Sequence, residues 1–376
     1  MEFKLNPFFQ ALSVVLVIIG GTFLLFGAGP IQRNKSDNDL NTAKLELESK
    51  IYVAVEGEGK ISIIDPVRQK VVVNIDLSGF TPHNVQVSPD NKTVWVTGNA
   101  GAHDHSLMPI RSVYADTEET SDEVIVIDPI RDTVAKRIKI KPGIHLAHIV
   151  LTPDSKYAYV TAQTEGVIYK INARTYKIVE KIEARKGSEP HGLRISSDGK
   201  FAYAAMLKGR SLVIVDLNTD KLSEVPLAGA AVQVGVTPNN KYAVASLYDT
   251  KQLAVYQISD GIVSYIDLPE DAKGPVQMYP TPDSRFIYLA DQGYYFEQPV
   301  SEWVYKINIE TKKVIKEIKA GKAPHGVVVS GDGKFVYVTN LLSNDVSVID
   351  TVTDEEVQRI KVGKEPNGIS VWYKNN

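Results

Sequence analysis

From residue 82 to its C-terminus the chain repeats itself, and the repeat limits the fold more than any other feature. Two copies are close to identical in pattern: PHGLRISSDGKFAYAAM from Pro190 and PHGVVVSGDGKFVYVTN from Pro324. Weaker copies start at Pro82 and Leu146, and shorter ones at Val232 and Val276. After each comes an apolar run ending near an Asp or Asn, as in VIVIDP to Pro129, VIYKIN to Asn172 and LVIVDL to Leu217. A second short run follows, such as KRIKI over residues 136–140. Each unit is therefore four short alternating strands separated by Asp, Asn and Gly turns.

Aligned on the residue after the Pro, the units are anchored at His83, His148, His191, Gln233, Gln277, His325 and Asn367. The spacing is 42 to 48 residues, except for the 65 between His83 and His148, where residues 98–123 form a long insertion. A period of about 40–50 residues with four strands per unit is the signature of a β-propeller. Seven anchors predict an all-β, seven-bladed β-propeller of four-stranded blades over residues 51–376. Residues 51–55, 61–65 and 71–77 give the first blade only three strands, while one strand, 368–373, follows the last anchor. The C-terminal strand is expected to join the N-terminal three and close the ring, which removes open sheet edges. A closed propeller is expected to be monomeric.

The sequence YVTN at 337–340, with its variants YVTA at 159–162 and WVTG at 95–98, resembles the YVTN family of β-propeller repeats. The resemblance covers nearly everything after residue 50. It implies the architecture and leaves function open: members are similar to surface-layer and periplasmic proteins, and related seven-bladed propellers include lactonases, dehydrogenase subunits and the catalytic domain of nitrous oxide reductase. Fold does not choose among these.

The N-terminus is a separate object. Residues 8–28 carry no charge, and 21 residues suffice to span a bilayer core as a helix. Residues 1–29 are expected to be a membrane anchor or signal segment, and residues 30–50 a polar linker. An uncleaved anchor places the propeller outside the cytoplasm, in the periplasm or at the cell surface. The alternative is secretion after signal cleavage, with the small residues 27–29 as a poor cleavage site. The net charge of -3, with no basic block, argues against nucleic acid as a partner. The chain has no cysteine, which excludes disulfides, thiolate metal sites and a cysteine nucleophile.

The seven histidines carry the functional signal. His83, His148, His191 and His325 share one repeat slot, at the mouth of the innermost strand, and Gln233, Gln277 and Asn367 fill the other three. All seven slots are polar. Neutral imidazoles converging on an axis can ligate copper or zinc. His103 and His105, with Met108, lie on the insertion at the same end and extend the candidate ligand set. The other reading is architectural: each His bonds a neighbouring carbonyl in its own blade. A second insertion, residues 291–303, brings Tyr294, Tyr295, Phe296 and Trp303, which either wall a ligand pocket or cover blade 6. The histidine ring is similar in kind and place to the copper-binding hub of the nitrous oxide reductase propeller. The departures argue against that activity: there is no adjacent His–His pair, three slots are Gln or Asn, and no Cys-bearing copper domain follows. A nucleophile elbow, a P-loop and a dinucleotide fingerprint are absent. Three functions remain: an exported propeller binding a ligand or metal at a His-rich mouth, a scaffold for an envelope protein partner, and a lactonase-like hydrolase or redox-enzyme subunit.

Overall fold

The computed structural model describes residues 47–101 and 120–374. They form 28 strands in seven four-stranded antiparallel sheets. The innermost strands of blades 1 to 7 are Pro366–Tyr373, Phe80–Val87, Leu146–Leu151, Pro190–Ile195, Ala231–Val236, Pro275–Pro280 and Pro324–Val329. Blade 1 is composite: Pro366–Tyr373 pairs antiparallel with Ser49–Val55, which continues into Lys60–Asp65 and Lys70–Asp76. The apolar run at 8–28, the linker up to residue 46 and the part of the insertion bearing His103, His105 and Met108 lie outside the described residues. Among the described residues no helix is long and apolar enough to cross a membrane.

Turn chemistry sets the blades. At the end of the third strand, Asp65, Asp128, Asn172, Asp216, Asn308 and Asp350 each accept the backbone N–H groups two and three residues on. Such Asx turns explain why six of the seven third strands end in Asp or Asn, the exception being Gln252–Gln257. The turn after the innermost strand of blades 2 to 7 uses a hydroxyl on an acid or amide two residues later, as in Ser196 on Asp198 and Ser330 on Asp332. Burial falls outward. Leu146–Leu151 is buried throughout, whereas in the outermost strand Lys177–Glu183 only Ile182 is. Between blades lie fully buried aromatics, among them Tyr52, Trp95, Tyr159 and Tyr288. Three of these tyrosines repeat one clamp. Tyr52 and Lys50 meet Asp132, Tyr159 and Lys170 meet Asp220, and Tyr288 and Lys306 meet Asp354, each time across a blade boundary.

The hub follows from a defect shared by all seven blades. Between Pro190 and Leu193 the innermost strand advances three residues while its neighbour advances two, from Met206 to Ala204. The same shift recurs at Pro82/Val85, Leu146/Ile149, Ala231/Val234, Pro275/Met278, Pro324/Val327 and Pro366/Ile369. This is a β-bulge, which re-aims a side chain and leaves one residue unpaired. Two residues stand in each bulge, and the anchors are split between them. His83, His191, His325 and Asn367 take the first place, whereas His148, Gln233 and Gln277 take the second, level with the Gly of Pro-His-Gly, so the one slot expected from the repeat is two adjacent positions. The Thr of YVTN completes the join. Thr339 Oγ1 accepts the Gly326 N–H of its own blade at 2.7 Å and donates to the Asn367 carbonyl of the next at 2.7 Å. Thr161 does the same with His148 N–H and the His191 carbonyl. The Gly of Pro-His-Gly is steric: a Cβ on Gly326 would lie 2.3 Å from the Asn367 carbonyl, and one on Gly192 would lie 2.4 Å from Gln233 Cα.

Candidate metal centre

Let the top be the end at which the chain enters each innermost strand. The seven bulges place His83, His148, His191, Gln233, Gln277, His325 and Asn367 around the top of the channel, all buried. His83, His148 and His191 converge: one ring nitrogen of each lies within 4.8 Å of the other two. Their ring centroids are 5.0 to 5.9 Å apart. His325 is outside this triad and packs edge-on against Tyr295, with centroids 5.2 Å apart.

The outward nitrogen of each imidazole is held differently. His191 Nδ1 donates to the Val232 carbonyl of the next blade at 2.9 Å. His83 Nδ1 donates to Glu56 Oε1 at 3.3 Å, and Asn367 Nδ2 donates to Glu56 Oε2 at 2.7 Å. A protonated Nδ1 leaves Nε2 with its lone pair, and His83 Nε2 is buried with no hydrogen-bond partner. His148 differs. Gln233 Oε1 accepts the Val234 N–H, so its Nε2 faces His148 Nδ1 at 3.3 Å and donates to it. The His148 ring proton then sits on Nε2, which is also buried and unpartnered. The donor set fits an imidazole-bound ion at His83 and His191 as it stands, and at His148 once the Gln233 amide turns over. Burial keeps His148 and His191 neutral, as metal ligation requires. It pulls His191 down to about 3, helped by the nearby His83, and pulls His148 well below its ordinary value, helped by His191, His83 and Arg194.

Glu56 carries no motif of its own, and the anchor alignment misses it. It is 3% exposed, at the start of the short 3-10 turn Glu56–Glu58. Extending each YVTN-like strand by one residue would have found it. The residue after the four-letter motif is Glu56 in blade 1 and Gln292 in blade 6, and Gln292 Nε2 donates to His325 Nδ1 at 2.8 Å. That position braces the hub residue of the following blade. His145, also buried, lies edge-on to His83 with centroids 5.2 Å apart.

The 291–303 insertion reaches over the channel instead of covering blade 6. Tyr295 is buried against His325, Asn367 Nδ2 donates to its hydroxyl at 3.4 Å, and Phe296 stacks on Tyr248 of blade 5 at 3.5 Å. Trp303 turns outward and packs in the core beside Tyr305. Beneath these rings a cavity of about 330 Å³ is lined by His145, Gln163, Glu189, Tyr248, Tyr295 and Phe296.

A family model described as YNCE-like beta-propeller matches residues 36–375. The chain belongs to that family. It is 31% identical over 299 residues to hydrazine synthase subunit beta of Kuenenia stuttgartiensis, covering 78% of this chain and 60% of that protein's length. The solved structure of Kuenenia stuttgartiensis hydrazine synthase superposes with a TM-score of 0.66 at 19% identity, covering 84% of this chain and 99% of that one. Dihydro-heme d1 dehydrogenase NirN in complex with DHE superposes with a TM-score of 0.59 at 15% identity, over 85% of this chain and 65% of that one. The structural likenesses show a shared propeller fold.

Proposed function

We propose that this protein is an extracytoplasmic β-propeller that binds one copper or zinc ion at the top of its channel through His83, His148 and His191. The observation that carries the reading is the convergence of three buried imidazoles, one ring nitrogen of each within 4.8 Å of the others. Imidazole donors suit both metals, and a carboxylate on the far nitrogen of a ligating His fixes its tautomer, the place Glu56 takes behind His83. Bound there, such an ion supplies a Lewis acid or, for copper, a one-electron centre. Around it the chain fixes ring orientation through Glu56 and the Val232 carbonyl, and limits access from above through Tyr295 and Phe296. His325 is a secondary ligand candidate at the same end, and His103 and His105, which lie outside the described residues, are candidates by their sequence. Residues 8–28 anchor the chain in a membrane in this reading, and Pro366–Tyr373 closes the ring. Metal analysis of the full chain purified without a polyhistidine tag tests it. About one equivalent of copper or zinc in wild type, lost in H83A/H191A, is expected. Wild type that stays metal-free after dialysis against both ions would overturn it.

The 31% identity to a protein named as a subunit favours a second reading, in which the propeller works as a component of a redox assembly. Size-exclusion chromatography of native extracts decides: elution with other chains supports it, and elution as a monomer rejects it.

A further inference from the structure

We propose that the lower mouth of the channel is a second binding site, specific for a small organic carboxylate with an apolar body, and that Arg194 is its anchor. The lower ends of six innermost strands surround a cavity of about 520 Å³. Val150, Val236, Val329 and Pro280 make its wall largely apolar, and Arg194 and Tyr279 project into it. Arg194 is three residues beyond His191 on Pro190–Ile195, so it enters the channel about 10 Å below the imidazoles at about 3.3 Å per residue.

Arg194 is uncompensated. It donates to the Leu193 carbonyl at 2.8 Å and lies 6.0 Å from the Tyr279 ring centre, and among the described residues no carboxylate is within ion-pair distance. By contrast, Arg68, Arg131, Arg137, Arg185, Arg210, Arg285 and Arg359 each pair with an acid. A guanidinium held in a largely apolar cavity with most of its donors unused is matched by a planar oxyanion, which it grips with two parallel N–H···O bonds. The seryl and threonyl hydroxyls of the mouth do not compete for it. Ser196, Thr237 and Ser330 spend theirs in turns on Asp198, Asn239 and Asp332, and Ser197 spends its own on Pro238 and Asn240. The single cation calls for one anionic group, and the aliphatic wall calls for carbon behind it, within the 300–1,000 Å³ typical of small-molecule sites. Burial already draws the guanidinium below its ordinary value, and an anion there relieves that cost.

The test is 19F NMR titration of 4-fluorobenzoate and the neutral 4-fluorobenzamide into the full chain. Saturable binding of the acid, at least tenfold tighter than the amide, is expected in wild type. R194K should weaken the acid about tenfold by losing the bidentate fork. R194M should bind acid and amide equally, with its melting curve checked against wild type. Failure of the acid to saturate, or equal affinity for acid and amide in wild type, overturns the proposal without any variant. An unchanged acid preference in R194M overturns the role of Arg194. Inorganic phosphate that displaces 4-fluorobenzoate at equal concentration overturns the requirement for an apolar body.

Discussion

His83 and His191 each donate an Nδ1 proton outward, to Glu56 and to the Val232 carbonyl, and it is these acceptors that turn the Nε2 lone pairs inward. E56Q replaces an acceptor carboxylate with an amide and should weaken copper or zinc binding about 10–100-fold, the usual cost of losing such a brace. Isothermal titration against E56Q reads this directly. Gln233 is the opposite case, since its amide puts the His148 proton on the inward nitrogen. Q233E would accept from both Val234 N–H and His148 Nδ1, and should tighten binding about tenfold in the same measurement. The sign of the pH dependence follows from burial. Two ordinary imidazoles near 6.5 would each cost about tenfold in affinity at pH 5.5. Because His148 and His191 are held lower, protons compete only in more acid solution, and titrations at pH 7.5 and 5.5 should differ by far less than a hundredfold. The same lowered values act on folding. The unfolded chain takes up a proton at His191 below about 6.5 and the folded chain only near 3, so stability falls as pH drops through that window, by up to about 1.4 kcal/mol per pH unit for each such imidazole.

At the level of the strand, the repeat is legible because each letter has a separate physical task. The Asp or Asn that ends the third run makes an Asx turn, the Gly of Pro-His-Gly admits the neighbouring blade, and the Thr of YVTN joins blade to blade. G326A therefore inserts a methyl where a carbonyl already lies 2.3 Å away, and should cost about 1–3 kcal/mol, seen as a lower urea midpoint. T339V leaves the Gly326 N–H and the Asn367 carbonyl without their shared hydroxyl and should cost about as much. The alternation and spacing gave the blades, but the single polar slot read from the repeat is two adjacent positions in the structure, because His148, Gln233 and Gln277 stand level with the Gly of Pro-His-Gly and not with its His. Neither gave the bulge. A pattern of alternating residues contains no sign that one extra residue will be squeezed out of register, yet the bulge is what aims His148 and its equivalents at the axis. Of the backbone bonds that the architectural reading expects, His191 makes one, to the Val232 carbonyl of the next blade, and that bond leaves its other nitrogen free. Glu56 was hidden because an isolated acid between Val55 and Gly57 reads as a solvated turn until the fold buries it.

Across the whole molecule, Pro366–Tyr373 lies between blade 7 and blade 2, pairing with Ser49–Val55, while the Ser370 hydroxyl accepts the Val87 N–H and Trp372 Nε1 donates to the Asn91 carbonyl. Deleting residues 366–376 would expose the edge of Ser49–Val55 and remove the Asn367 partner of Glu56. Aggregation or loss of cooperative unfolding is expected, and a truncated chain that melts like wild type would rule out closure by this strand. The three Lys–Asp–Tyr clamps tie blade 1 to 2, 3 to 4, and 6 to 7 with little exposed charge. D354A strands Lys306 and should destabilise by about 3–5 kcal/mol. The central claim is that the ring assembled by these joints converges on one metal ion. Its most direct test is calorimetric titration of Cu(II) and Zn(II) into the untagged full chain, H191A, H325A and H103A/H105A. One saturable equivalent in wild type, abolished or weakened at least a hundredfold in H191A and retained in H325A, is the predicted result. No saturable binding in wild type, or binding that survives H191A and is lost only in H103A/H105A, would contradict it.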